Sequence, residues 1–360
     1  MSAHEVLILI MAVFAVFGAA DRIFGNRLGL GQEFENGILA MGSLAMAMLG
    51  IIAIAPVLAT VLKPVIVPVF GFLGADPAMF AGTILASDMG GGALAQAMTE
   101  NSDAALLGGV ITGSMLGATI VFTIPVAMGI LKEEDRAYMA KGILCGIVTI
   151  PVGILVGGVV AGFSLGMVLR NLIPIVLIGA LIALGLWKAE RAMIKGFGIF
   201  GKAVVILVTV GLAAAIVEEL TGITVIPGME SLEVGFETVG AIAIVLAGAF
   251  PLVFALTRAL RKPLLKLGKL LGINDTAAAG LVATLANSIA TFGLVKDMDN
   301  RGKVVNIAFA VSAAFVFGDH LGFTAGFAPE MLPAMILGKL AGGVSAVAVA
   351  LLLTRKEKAK

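Results

Sequence analysis

Residues 79–98 read Met79-Phe80-Ala81-Gly82-Thr83-Ile84-Leu85-Ala86-Ser87-Asp88-Met89-Gly90-Gly91-Gly92-Ala93-Leu94-Ala95-Gln96-Ala97-Met98. The stretch is apolar and close to the ~20 residues that cross a bilayer, yet it makes a poor continuous helix. Each of its successive glycines costs about 1 kcal/mol in a helix interior. An ionised Asp88 in hydrocarbon costs at least ~2.5–3.5 kcal/mol more. The segment is therefore expected to enter the membrane, break at Asp88 and leave on the side it came from.

The rest of the chain has the same solvent preference. Of 360 residues, 60% are hydrophobic and 13% charged, against roughly 45–50% and ~25% in soluble domains, and the mean hydropathy is +1.11. That excludes a soluble enzyme and implies an integral membrane protein. The ~10-residue alternating segments of a β-barrel are missing, so the class is all-α and polytopic. The net charge is +1 with no basic block before the C-terminal tail, which argues against a nucleic-acid partner. The single cysteine, Cys145, can form no intrachain disulfide and reads as a small core residue. Residues 6–20 are preceded only by His4 and Glu5 and followed by Asp21-Arg22. They read as a retained first helix rather than a cleaved signal.

Eleven apolar stretches are present, at about 6–20, 38–61, 79–98, 104–131, 142–163, 172–187, 199–217, 239–256, 277–295, 304–322 and 332–353. Cytoplasmic loops of membrane proteins are enriched in Lys and Arg. The tail with Arg355, Lys356, Lys358 and Lys360 is therefore placed inside. So are Lys296–Lys303, the run with Arg258, Arg261, Lys262, Lys266 and Lys269, the loop with Lys188, Arg191, Lys195 and Lys202, and the loop with Lys132, Arg136 and Lys141. Two inside loops cannot flank a crossing segment, so 277–295 reads as a second hairpin, open to the cytoplasm. The first, at 79–98, then opens outside. The expectation is about nine transmembrane helices plus two re-entrant hairpins, with the N-terminus outside and the C-terminus cytoplasmic.

Weak internal matches recur in one order at a nearly constant offset: Phe34-Glu35 with Phe236-Glu237, Lys63-Pro64 with Lys262-Pro263, Leu73-Gly74 with Leu271-Gly272, Ala81-Gly82 with Ala279-Gly280, and Glu133 with Glu330. They divide the single transmembrane domain, 1–360, into a repeat at about 34–163, linking scaffold helices at 166–218 and a second repeat at about 236–354. Three crossings per repeat invert the second copy, and inverted repeats with broken helices are an architecture of secondary transporters. The scaffold is also the surface through which a homodimer would assemble.

Polar groups inside apolar stretches mark the candidate site: Ser87 and Asp88 in the first hairpin, Asn287 and Ser288 in the second, and Asp319 with His320. Thr123 falls near the repeat partner of Asp319. A primary ammonium carries three donors and wants carboxylate, amide or carbonyl acceptors. A quaternary ammonium would want an aromatic cage, and the chain has one Trp and one Tyr. A small hydrogen-bonding cation fits better. Blander readings compete: Asp88 as a helix cap, Asp319 and His320 as a mutual pair, Asn287 as interhelical glue. The glycine series 109, 113, 117 and 153, 157 reads as close helix packing.

Several runs resemble the bacterial ethanolamine transporter (EutH) family over nearly the whole chain. They are Met79-Phe80-Ala81-Gly82-Thr83, Asp88-Met89-Gly90-Gly91, Thr119-Ile120-Val121-Phe122, Leu281-Val282-Ala283-Thr284-Leu285-Ala286-Asn287, Phe317-Gly318-Asp319-His320-Leu321-Gly322-Phe323 and Gly338-Lys339-Leu340. The chain departs from the family's Asn-Asn-Ile-Pro at Asn287-Ser288-Ile289-Ala290, which favours Asn287 over Ser288. The resemblance implies a permease of the bacterial inner membrane that takes up ethanolamine for its utilisation.

The combined expectation is alternating access for protonated ethanolamine. Asp88 would be the counter-ion and Asn287 would bind the hydroxyl. Asp319 and His320 would complete the site or couple it to protons. No cofactor or metal is expected, and both facilitated passage and coupling to a proton or sodium ion are admitted. Rivals are a cation-coupled carrier for another small amine or organic solute, and an anion carrier, which would need an intramembrane Lys or Arg. Lys339, Arg170 and Lys202 all read as span-end residues. An intramembrane aspartyl protease would need glycine where Val316 stands. A zinc enzyme lacks histidines at ligand spacing.

Overall fold

The computed structural model describes residues 1–355, without the side chains of residues 260–262, 264, 265, 267 and 269. Lys356, Lys358 and Lys360 of the basic tail, and the side chains of Arg261, Lys262 and Lys269, lie outside the described residues. Among the described residues every regular element is helical. Seven helical stretches are long and apolar enough to cross a membrane, and large apolar side chains such as Leu39, Val61, Leu181 and Ile244 are exposed. This is a multi-pass helical membrane protein.

The difference between eleven apolar stretches and seven long helices has a local cause at each place. Residues 172–187 and 199–217 are arms of one helix, Leu165–Thr221, broken only at Ala189 (φ −143°, ψ 47°). Residues 304–322 divide into helices Asn300–Ala313 and Asp319–Phe327 around an irregular turn. The two remaining stretches are hairpins.

Helix α1 (Ala3–Ile23) opens on a capping box, in which Ser2 accepts from the Glu5 N–H and the Glu5 carboxylate accepts from the Ser2 N–H; this satisfies amides left open by the first turn. Near its other end the buried Asp21 accepts from Leu28 N (2.9 Å) and Gly31 N (3.0 Å), which fixes the turn into α2 (Leu30–Phe72). At 1.5 Å per residue α2 is about 65 Å long, roughly twice the ~30 Å hydrocarbon core. It carries Pro56, Pro64 and Pro68, each of which removes a ladder hydrogen bond. The other helix of this kind, Leu232–Leu271, contains Pro251 and Pro263 and packs along α2. At the crossing a Cβ on Gly37 would lie 2.4 Å from Ala247 N.

Both long helices stop at a glycine with positive φ, Gly74 (+69°) and Gly272 (+68°), and each leads into a hairpin. In the first, α3 (Ala78–Ile84) is joined to α4 (Gly91–Met98) by a short 3-10 turn, Ser87–Met89. Its base is closed by Thr99 Oγ1 donating to Asp76 Oδ2 (2.9 Å). In the second, helices Asp275–Ala286 and Ser288–Leu294 meet at the single extended residue Asn287. Its base is closed by Asn274 N donating to Asp299 Oδ1 (2.8 Å) and Asn274 Nδ2 to Asp297 O (3.0 Å). Each segment therefore begins and ends at one place.

The stretch 102–130 is not an ordinary α-helix. Residues Leu107–Gly117 and Thr119–Thr123 are wound as a π-helix, and Thr112 Oγ1 donates to Leu107 O five residues back (2.9 Å). Its glycines press on the first hairpin: a Cβ on Gly117 would meet Leu85 O at 1.9 Å, and one on Gly113 would meet Ser87 N at 3.1 Å. Gly153 and Gly157 likewise face Gly338, in the last helix Leu332–Leu353. Cys145 is a buried free thiol.

Candidate functional site

Asp88 sits in the turn where α3 ends and α4 has not begun. Gly90, at φ +93°, makes that turn, and a Cβ there would strike Ile51 at 2.2 Å. The turn faces the second break in the fold, residues 314–318. There Phe315 has φ +61°, a strained conformation for a bulky residue. The break is held by the second hairpin: Phe315 N donates to Thr284 O (3.2 Å) and Phe317 N to Leu285 O (2.9 Å). These are carbonyls that the last turn of helix Asp275–Ala286 leaves open. The helix that follows begins with Asp319 and His320.

The three ionisable side chains converge. His320 Nε2 lies 3.5 Å from Asp88 Oδ1, an ion-pair separation too long for a good hydrogen bond. Asp88, Asp319 and His320 line one cavity of about 30 Å³, walled by Phe122, Phe315 and Met89 and by the small Ala86 and Ala118. The Phe122 and Phe315 rings meet edge to face at 5.3 Å, and Phe315 stands 5.5 Å from the His320 ring. Buried polar atoms are almost always hydrogen-bonded; here Ser87 Oγ, Asp88 Oδ1 and His320 Nδ1 have no partner.

The other residues singled out from the sequence lie elsewhere. Asn287 is exposed and its Oδ1 accepts from Ile289 N (2.8 Å), capping its own half-helix. Ser288 is buried with an unpartnered hydroxyl but does not line the cavity. Thr123 is buried one residue beyond Phe122, which does line it. Glu35, of the first repeat match, pairs with Arg22 at 3.1 Å on the surface.

The sequence reading misplaced one residue. Lys339 is not at a span end. It is 1% exposed, in the interior of helix Leu332–Leu353, and its ammonium donates to Ser114 O in the π-helical segment. Its place inside an apolar helix, beside Gly338, Gly342 and Gly343, was the available signal. Phe122 and Phe315 were also missed: one is an apolar residue in an apolar helix, and nothing in a sequence announces that the other stands at positive φ.

A second, larger cavity of about 1130 Å³ lies between residues 121–137 and 190–206. Val121, Pro125 and Met128 form its floor, and Arg136, Arg191, Lys195 and Lys202 stand on its rim with Glu133 and Glu190. Val121 lines this cavity and the next residue, Phe122, lines the smaller one. Among the described residues no group of three or more His, Cys, Asp or Glu could hold a metal ion.

Comparison with known proteins agrees over the full length. Residues 3–353 match the family described as ethanolamine utilisation protein, EutH. A protein of Listeria monocytogenes named probable ethanolamine permease EutH is 60% identical over 100% of this chain and 98% of its own length. The protein of that name in Salmonella typhimurium is 48% identical, over 100% and 97%. The uncharacterized protein YxeR of Bacillus subtilis is 52% identical, over 100% and 97%. No solved structure gives a significant match. The chain belongs to the ethanolamine utilisation protein EutH family.

Proposed function

We propose that this protein is a permease that carries protonated ethanolamine across the bacterial cytoplasmic membrane by alternating access. One observation carries the reading: two carboxylates, Asp88 and Asp319, supplied by two different breaks in the fold, line one cavity. A small cation is what such a cavity lacks. Asp88 is the principal counter-ion, and Asp319 and His320 complete the site. Ser87, Asn287 and Ser288 do not line the cavity, so the substrate hydroxyl is left to the free oxygens of the two carboxylates. The walls of Phe122 and Phe315 offer ring faces to the ammonium without a full cage. A cavity of about 30 Å³ admits about one water, so loading moves a wall, and Phe315 with its strained backbone is the wall that yields.

The matching glycine stops, the hairpins closed at their bases and the approach of both tips to residues 315–320 support nine crossings arranged as two inverted repeats. The basic rim of the larger cavity supports a cytoplasmic mouth.

Buried Lys339 is what an anion carrier would need, but it does not line the cavity, and both carboxylates do. Two aspartates on one cavity also favour an aspartyl protease. Sealed liposomes separate the readings. Labelled ethanolamine should enter saturably, with unlabelled small primary amines competing well, choline weakly and anionic analogues not at all. Competition led by anions, or peptide cleavage without substrate entry, would sink the proposal.

A further inference from the structure

Lys339 has no role in the site described so far, and its position calls for one. A fully buried ammonium normally has a carboxylate against it; this one has the carbonyl of Ser114. The adjoining residue, Gly113, packs on the backbone of Ser87 (3.1 Å). One turn of the π-helical segment therefore has the Lys339 ammonium on one side and the Ser87-Asp88 turn on the other. Asp88, Asp319 and His320 line the cavity, and Lys339 stands behind its wall, one backbone step from the residue that packs on Ser87; together they are two carboxylates, one imidazole and one ammonium.

With both carboxylates ionised and Lys339 charged, these four groups lack one positive charge. Without Lys339 they would lack two. That matters when a carrier must cross its own transition without substrate, because uncompensated charge in an apolar core is expensive. Resting on the carrier reading above, we propose that Lys339 is the resident counter-charge of the substrate site. While charged it cancels one carboxylate, so that one monovalent cation completes the balance and the emptied carrier returns without two bare carboxylates in its core. Lys339 is thus a positioning charge acting through Asp88, not a ligand of the substrate.

Net uptake requires the empty carrier to return, whereas exchange between labelled substrate outside and unlabelled substrate inside does not. Wild type, Lys339→Gln and Lys339→Arg are compared in liposomes by both assays. Lys339→Gln should keep exchange within about threefold, lower its half-saturation for ethanolamine roughly tenfold because the site is now more negative, and lose net uptake by about tenfold or more. Lys339→Arg should retain both activities. Lys339→Met, uncharged and of similar length, replaces the Gln variant if that protein does not fold. Net uptake by a charge-free variant within about twofold of wild type would overturn the proposal. So would a parallel loss of exchange and net uptake in folded protein. Wild type inactive in both assays would instead overturn the carrier reading, and this inference with it.

Discussion

The hairpin at 78–98 and the hairpin at 275–294 share a plan and differ in where their polar atoms go. Each follows a long proline-bearing helix, starts after a positive-φ glycine and is closed at its base. In the second, polar groups other than the Ser288 hydroxyl are used within the fold. Thr284 Oγ1 and Thr291 Oγ1 lie 2.8 Å apart, Thr291 donates to Gly280 O, Asn287 caps Ile289, and two carbonyls take the amides of Phe315 and Phe317. In the first, Ser87 Oγ and Asp88 Oδ1 are buried without a partner. One hairpin is a brace for the break at 314–318, and the other presents a charge to the cavity that the break helps to wall. On the function proposed above, a carrier for one small cation needs one principal counter-ion, and two similar elements would divide that work. The most direct way to break this comparison is Asp88→Asn, which keeps the shape and removes the charge. Saturable ethanolamine uptake should fall about a hundredfold or more at unchanged expression. Full uptake would remove Asp88 from the site.

A smaller effect tests the backbone of the same turn. Gly90→Ala puts a Cβ at φ +93° and within 2.2 Å of Ile51. Strain and overpacking together should cost about 2–4 kcal/mol, read as a lowered unfolding midpoint in detergent. The tip of the second hairpin has no such glycine, since Asn287 is extended at φ −156°.

The sequence announced the breaks better than their geometry. Gly90-Gly91-Gly92 beside Asp88 and the basic runs on both sides of 277–295 gave two hairpins, because helix-breaking residues and charge are local signals. The pairing of Asp88 with His320 joins residues far apart in the chain and depends on packing that periodicity does not encode. The π-helical winding of 107–123 was equally illegible: Gly109, Gly113 and Gly117 predicted close packing, and they deliver it against the first hairpin, but nothing in their spacing specifies an i→i+5 ladder. Lys339 was misread for a related reason. A lone charge in an apolar stretch looks interfacial until neighbouring helices are seen to bury it. Asn287 is the opposite case, a polar residue at a break that read as a ligand and here caps the amide of Ile289.

That last residue supplies the finest test. As a cap, Asn287 satisfies one backbone N–H at the start of a seven-residue helix, Ser288–Leu294, and losing such a cap costs ~1 kcal/mol. Asn287→Ala should therefore lower the melting midpoint slightly, while ethanolamine uptake per folded molecule stays within about twofold of wild type, the Ile289 amide turning to water instead. Asn287→Ser and Asn287→Asp, which can still cap, should recover the midpoint. The informative result is the relation between the two readouts across these variants. If uptake collapses while the midpoint holds, the Asn287 side chain reaches substrate in another conformation of the carrier, and the division of labour between the hairpins fails. If the midpoint moves alone, the second hairpin acts through structure, by holding the backbone of residues 315–317 where Asp319 and His320 can meet Asp88.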